Sequence, residues 1–157
     1  MNMPTPTPPW RIFLRHAHRE LFDRSADNGL SEKGHKQGLK LQEWLEKNAP
    51  RPKSLFSSPK RRCLETAQYV AELYQLEIQI LPELDEQGPQ ESDASFLKRV
   101  SSFLHSPHFL PEAVYCSHGD VLPALAKLLG SPGIEISKGD LFVERDGTVS
   151  AINPVRG

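Results

Sequence analysis

Two short apolar runs are followed by histidine, one at Arg15-His16 and the other at Ser117-His118. Arg62 closely follows a third apolar run. Guanidinium groups bind phosphate oxygens through paired N–H bonds. Two arginines and two histidines that meet in space would form a compact anion site, for which a phosphoryl group is the natural ligand. The sequence therefore predicts phosphate chemistry, provided that the fold brings these positions together.

The elements that must position these residues alternate between strand and helix. Predicted strands cover residues 12–14, 54–57, 77–81 and 113–116. Helices are predicted from the N-cap Ser31 to about residue 48, from about Lys60, around 96–104 and from Asp120 to Leu129. Such alternation is typical of a three-layer α/β/α sandwich with a mostly parallel central sheet, which binds ligands beyond the carboxyl ends of its strands.

Two further segments complete the predicted sheet edge. Asp146-Gly147 lies between the apolar stretches 141–144 and 149–152, so a C-terminal antiparallel hairpin is expected. The loop after the third strand carries Glu83, Asp85 and Glu86, and any of them could add a carboxylate to the site. His18 and Arg19, in the loop after the first strand, reach either the substrate or only solvent.

These motifs, taken in order, resemble the histidine phosphatase superfamily, which includes the phosphoglycerate mutases. The matching segments are Leu14-Arg15-His16-Ala17, residues 30–37, residues 58–67, Leu81-Pro82-Glu83-Leu84 and Ser117-His118-Gly119. Ala17 stands where the family usually has glycine. The resemblance covers the chain from about Trp10 to the C-terminus.

The resemblance implies a mechanism in which His16 is the nucleophile and forms a phosphohistidine that water later hydrolyses. Arg15 and Arg62 would stabilise the phosphoryl oxygens and keep His16 neutral. His118 and Gly119 would complete the phosphate-binding group. Glu83 occupies the family's position for the acid that protonates the leaving group, with Asp85 and Glu86 as alternatives.

The acidic loop departs from the commoner family pattern, because Gly88 lies five residues after Glu83 and no Trp-Glu-Gly follows. This spacing and the short chain are closer to the small bacterial phosphohistidine phosphatases, which lack a cap over the site. The expected function is hydrolysis of a phosphohistidine protein or a small phosphomonoester. A phosphoglycerate or phosphosugar mutase is an alternative, although Phe22 stands where the mutase pattern has asparagine. A non-catalytic phosphate-binding module is another.

Composition excludes several other classes of protein. The chain has 157 residues and a net charge of -1, so we expect one domain at 10–157 and no nucleic-acid partner. Residues 1–9 are rich in proline and threonine and are expected to form a disordered lead-in. The longest apolar run, 121–126, is too short for a membrane span, and no secretion signal is visible.

Cysteine and histidine usage indicates a cytoplasmic protein that needs no metal ion or other cofactor. Cys63 and Cys116 are far apart, form no C-x-x-C pattern and are expected to be buried thiols. Ser106-Pro107 separates His105 from His108, which argues against a metal-ligand pair. No P-loop or dinucleotide-binding motif occurs. The oligomeric state stays open.

Overall fold

The computed structural model of the protein describes residues 9–154, with a six-stranded mixed sheet at its centre. The strands are β1 (Trp10–Arg15), β2 (Ser54–Ser57), β3 (Ile78–Ile80), β4 (Ala113–Ser117), β5 (Leu141–Arg145) and β6 (Thr148–Ile152). The helices are α1 (Glu32–Asn48), α2 (Arg61–Tyr74), α3 (Asp93–Leu104) and α4 (Val121–Leu128), with a 3-10 turn at Pro82–Leu84. Apart from Pro9, the predicted lead-in 1–9 lies outside the described residues.

The strand order is β3-β2-β4-β1-β5-β6. β1 to β4 run parallel, whereas β5 pairs antiparallel with both β1 and β6. Asp146 and Gly147, between β5 and β6, have φ of 48° and 83°, and two central residues with positive φ are what a tight hairpin turn requires. The mostly parallel sheet and the C-terminal hairpin confirm the predicted fold class. Because β1 and β4 are neighbours, their carboxyl ends lie side by side.

The period of two along each strand divides the core into two layers. On one face, Phe56, Tyr115, Phe13 and Phe142 come from four adjacent strands and stack in sequence, with ring centroids 4.8 to 5.1 Å apart. Helices α3 and α4 cover this aromatic row. Helices α1 and α2 cover the opposite face, in a layer that includes the free, buried thiols of Cys63 and Cys116. Burial of both thiols agrees with the sequence prediction.

Helix α1 begins where the sequence predicts, because the Ser31 hydroxyl accepts a hydrogen bond from the Gly34 amide at 3.1 Å. Gly34 also permits close packing: a Cβ there would overlap the carbonyl oxygen of His18, and a Cβ on Gly38 would overlap the ring of Tyr69. The two glycines thus bring α1 against the loop after β1 and against α2. Within residues 9–154, the helices are all too short or too polar to cross a lipid bilayer.

Replacement of Gly34 by alanine tests this close packing. Alanine favours a helix by about 1 kcal/mol over glycine. We nevertheless expect Gly34→Ala to lower the free energy of unfolding by about 1–3 kcal/mol, because the new methyl group meets a backbone carbonyl that cannot rotate away. Urea denaturation measures the change. Glu46→Ala, at an exposed position of the same helix, is the control and should shift stability by less than about 0.5 kcal/mol; an equal or stabilising effect of Gly34→Ala would contradict the packing argument.

Candidate active site

The carboxyl ends of β1, β2 and β4 bring together four of the predicted site residues, Arg15, His16, Arg62 and His118. His16 and His118 each follow their strand directly, and the backbone amide of His16 bonds to the carbonyl of Ser117 at 3.1 Å. Their ring centroids are 5.4 Å apart. Arg62 enters from the first turn of α2. Both imidazoles are therefore close enough to contact one bound phosphoryl group.

His16 is held as a neutral imidazole with one nitrogen facing the site. Its side chain is buried, and Nδ1 donates a hydrogen bond to the carbonyl of Ala17 at 2.8 Å. Nε2 therefore has a free lone pair, which accepts from Nε of Arg62 at 3.3 Å. Burial lowers the pKa of His16 to about 3, and the nearby His118 and Arg62 add to this effect. The ring is uncharged at neutral pH.

His118 is neutral for similar reasons. Burial and then the positive charge of Arg62 lower its pKa to about 3. Its Nδ1 faces Nη2 of Arg62 at 3.5 Å and accepts from it, so Nε2 carries the proton and donates to the Ser58 hydroxyl at 2.8 Å. Ser58 belongs to the segment after β2, so His118 connects the ends of two neighbouring strands. The guanidinium of Arg62 lies between the two histidines.

Arg15 reaches the site along the surface of Gly119. A Cβ on Gly119 would lie 2.6 Å from Cζ of Arg15, so any larger residue would displace the guanidinium. Arg15 Nη1 donates to the carbonyl of Ile136 at 2.7 Å, and burial lowers its pKa. The sequence predicted Gly119 as a phosphate ligand. In the structure it also makes room for Arg15, which its motif alone did not indicate.

Of the three candidate acids, Asp85 and Glu86 approach the histidines. Oε2 of Glu86 is 2.6 Å from Nη2 of Arg62 and 3.9 Å from Nδ1 of His118. Oδ1 of Asp85 is 3.8 Å from Nε2 of His118. Within residues 9–154, the Glu83 carboxylate forms no hydrogen bond or ion pair with either histidine. The geometry therefore favours the alternatives over Glu83 as the nearby acid.

Arg99, on α3, fixes this acidic loop. Its guanidinium donates to the backbone carbonyls of Glu83, Asp85 and Glu86 at 2.8 to 3.2 Å, and it pairs with Glu91 at 2.8 Å. The sequence analysis did not identify Arg99 as a positioning residue. Three carbonyls bound to one guanidinium determine which side chains of the loop face the histidines.

The site residues surround a cavity of about 320 Å³. It is lined by Arg15, His16, Arg19, Leu21, Arg24, Arg62, Glu86, His118, Gly119, Asp120 and Lys138. Arg19 therefore reaches the pocket, whereas Nδ1 of His18 bonds to the Ser31 hydroxyl at 2.6 Å and His18 does not line it. Sequence reasoning missed Arg24 and Lys138, because no motif contains them. In the described part of the chain, no three His, Cys, Asp or Glu side chains are grouped so as to hold a metal ion.

Comparison with known families identifies the class of protein. Residues 12–91 match the histidine phosphatase superfamily (branch 1). This match covers half of the chain, so the chain belongs to the histidine phosphatase superfamily, as the resemblance of its motifs indicated. No curated protein matches the chain in sequence.

Solved structures share the fold at low sequence identity. An Escherichia coli protein provisionally assigned as an alpha-ribazole-5'-P phosphatase has a TM-score of 0.76 and 19% identity, over 92% of this chain and 95% of that chain. The protein histidine phosphatase SixA, in complex with tungstate, has a TM-score of 0.69 and 19% identity, over 91% and 94%. A mycobacterial glucosyl-3-phosphoglycerate phosphatase has a TM-score of 0.67 and 19% identity, over 86% and 89%.

The buried neutral histidines predict a characteristic dependence of stability on pH. In the native protein, His16 and His118 stay neutral down to about pH 3, whereas in the unfolded chain they bind protons below about pH 6.5. Their contribution is complete above pH 6.5 and is lost as the pH falls, with a slope of up to about 1.4 kcal/mol per pH unit for each histidine.

Urea unfolding at pH 6.5 and 5.5 measures this slope. Over this interval, His118→Gln should reduce the loss of stability by about 1 kcal/mol, because the imidazole of the unfolded chain is already half protonated at pH 6.5. His105→Gln, at an exposed position, serves as the control and should leave the slope unchanged. A slope that His118→Gln does not alter would show that this histidine is not held neutral by the fold.

Proposed function

We propose that residues 10–157 form a phosphohydrolase domain that works through a phosphohistidine on His16 and releases phosphate from a phosphohistidine protein or a small phosphomonoester. Membership of the histidine phosphatase superfamily supports phosphatase activity. The observation that carries the mechanism is the uncharged Nε2 of His16, directed at the guanidinium of Arg62 inside a cationic pocket. A neutral imidazole has a lone pair that can attack phosphorus, and the adjacent guanidinium attracts the anionic phosphoryl group.

In the first step, the Nε2 lone pair of His16 forms a bond to phosphorus while the bond to the leaving group breaks in line with it. Negative charge on the equatorial phosphoryl oxygens is stabilised by Arg15 and Arg62. The Nδ1 hydrogen bond to Ala17 fixes the ring orientation and supports the positive charge that forms on the imidazole. His118 holds Arg62 in place from the other side.

In the second step, water attacks the phosphohistidine, His16 leaves as a neutral imidazole, and phosphate is released. Two guanidinium groups supply the positive charge that a metal ion provides in other phosphatases, so the proposed reaction requires no metal. Hydrolysis of a generic aryl phosphate should therefore proceed equally with and without a chelator.

Glu86 is the proposed proton donor to the leaving group. Its carboxylate accepts a hydrogen bond from Nη2 of Arg62 at 2.6 Å. A phosphoryl group that binds Arg62 would take over this contact and leave the Glu86 carboxyl beside the leaving group. The same carboxylate can accept a proton from water in the second step. Asp85 lies 3.8 Å from Nε2 of His118 and 3.6 Å from Nζ of Lys60, but unlike Glu86 it does not line the pocket that contains His16.

Two substrate classes are proposed because the structural neighbours fall into two groups by name. The structural neighbours include a protein named as a protein histidine phosphatase and others named for small phosphorylated molecules. A phosphohistidine has an imidazole leaving group, which depends little on an acid, whereas an alkyl ester depends on it strongly. The relative rates on the two classes therefore report on the acid as well as on the substrate.

His16→Ala tests the nucleophile. We expect this variant to lose the covalent phosphoenzyme, which is labile in acid and stable in alkali, and to lose turnover by about 10³-fold or more. Rapid quenching after mixing with labelled substrate detects the adduct. His105→Ala, which removes an exposed histidine, should retain both the adduct and turnover. Persistence of the adduct in His16→Ala, or phosphate binding without turnover in the unmodified protein, would refute the proposed mechanism.

Glu86→Gln and Glu83→Gln form a matched pair that tests the acid. Because general acid catalysis contributes about 10²- to 10⁴-fold, Glu86→Gln should slow alkyl phosphates by about that factor and aryl phosphates or phosphohistidine much less. Glu83→Gln should behave like the unmodified protein on every substrate. Measurement of kcat/KM on both ester classes distinguishes the two residues. The assignment fails if Glu83→Gln produces the leaving-group effect instead.

A further inference from the structure

The pocket contains more positive charge than one phosphoryl group requires. Five cationic side chains line it, and the proposed mechanism uses two of them, Arg15 and Arg62. The other three, Arg19, Arg24 and Lys138, are referred to below as the outer cations. They share one cavity with His16, so a substrate bound at the nucleophile lies within their reach.

Among residues 9–154, none of the three outer cations forms an ion pair, although Glu86 and Asp27 act on Arg19 at longer range. The two carboxylates that line the pocket have other partners: Glu86 pairs with Arg62, and Asp120 accepts the backbone amide of Gln87 at 2.9 Å. The pocket therefore holds an excess of uncompensated positive charge, although the chain as a whole has a net charge of -1.

Mutual repulsion accompanies this arrangement. Burial lowers the pKa of Lys138, and four nearby cations lower it further: Arg15, Arg19, Arg24 and Lys33. The pKa of Arg19 is likewise lowered, by burial and then by Arg62, and the nearby Glu86 and Asp27 do not offset these effects. Like charges held together in one pocket bind an anion strongly, because the anion relieves the repulsion.

Hydrogen bonds fix the Arg19 side chain and the backbone next to Lys138. Arg19 Nη2 donates to the carbonyls of Arg24 and Ala26 at 3.2 and 3.0 Å, which folds the loop after β1 back on itself. The Nε atom of Arg19 is buried and, in the described residues, has no hydrogen-bond partner. Lys138 precedes Gly139, whose amide bonds to the carbonyl of His16 at 3.1 Å, so it is anchored to the end of β1.

We propose that the outer cations form a second anion subsite, which selects small phosphomonoesters that carry a second anionic group, such as a carboxylate or another phosphate. The inference rests on the proposed function, since the phosphoryl group must occupy the site at His16. A cavity of about 320 Å³ has the size of a small-molecule site, and its cations share it with the nucleophile, so one compact ligand with two anionic groups matches it.

A matched pair of substrates tests the subsite. Phosphoglycolate and its primary amide have nearly the same size, but the amide is neutral and has an NH2 group in place of one carboxylate oxygen. We expect the unmodified protein to favour the carboxylate by about tenfold or more in kcat/KM, since a charge-assisted hydrogen bond contributes about that factor. Added salt should reduce the preference because it screens exposed charges.

The double variant Arg24→Gln/Lys138→Gln should reduce the preference at least severalfold, because the carboxylate substrate loses two of the three cations that bind its second anionic group and the amide lacks that group. Arg24 and Lys138 donate no side-chain hydrogen bond within the described chain, so this variant retains the loop contacts of Arg19. Lys98→Gln/Lys127→Gln removes the same charge from exposed helix positions and should keep the full preference.

Two results would overturn the subsite while leaving the proposed function intact: equal hydrolysis of both substrates by the unmodified protein, or a preference that survives in Arg24→Gln/Lys138→Gln. A third result would overturn it in favour of a protein ligand: Arg24→Gln/Lys138→Gln loses activity on a phosphohistidine peptide with flanking glutamates but keeps its activity on phosphoglycolate. Absence of both hydrolysis and a His16 adduct would instead refute the proposed function, and the subsite with it.

Discussion

The position of one guanidinium group determines the arrangement of the site. Arg62 contacts His16 through Nε and both His118 and Glu86 through Nη2, so three separate segments converge on one side chain. It is buried, and its own position depends on the first turn of α2, which packs beneath the parallel strands. Burial keeps both imidazoles in their neutral form, and the charge of Arg62 adds to this effect. In the proposed mechanism, Arg62 therefore both binds the anion and helps to keep the nucleophile uncharged.

The protein concentrates charge locally while remaining close to neutral overall. Cations gather in one pocket at the carboxyl edge of the sheet, and most acidic residues lie elsewhere. The local positive potential attracts anions to the pocket, whereas the rest of the surface does not bind polyanions non-specifically. Gly119 contributes because it has no side chain, which leaves space for the guanidinium of Arg15 in the pocket.

The sequence was sufficient for the features that depend on local pattern. Period-two strands, the Ser31 cap, the Asp146-Gly147 turn and the strand-end positions of His16 and His118 were all predictable, because each follows from neighbouring residues. The acid was harder to choose. Arg99 determines which carboxylate of the loop faces His118. This contact joins distant segments, so no local sequence pattern predicts it. Arg24 and Lys138 were missed for the same reason, since only tertiary structure brings their loops to one pocket.

The pairing of β1 with β4 also has a consequence for biosynthesis. Most of the chain separates His16 from His118 in sequence. The two residues become neighbours only when β4 inserts between β1 and β2. During translation, the N-terminal half can form helices and hold Arg62, but it lacks the strand that completes the centre of the sheet. A ribosome-bound nascent chain therefore cannot assemble the anion site until β4 has emerged, and long-range closure of this kind slows folding.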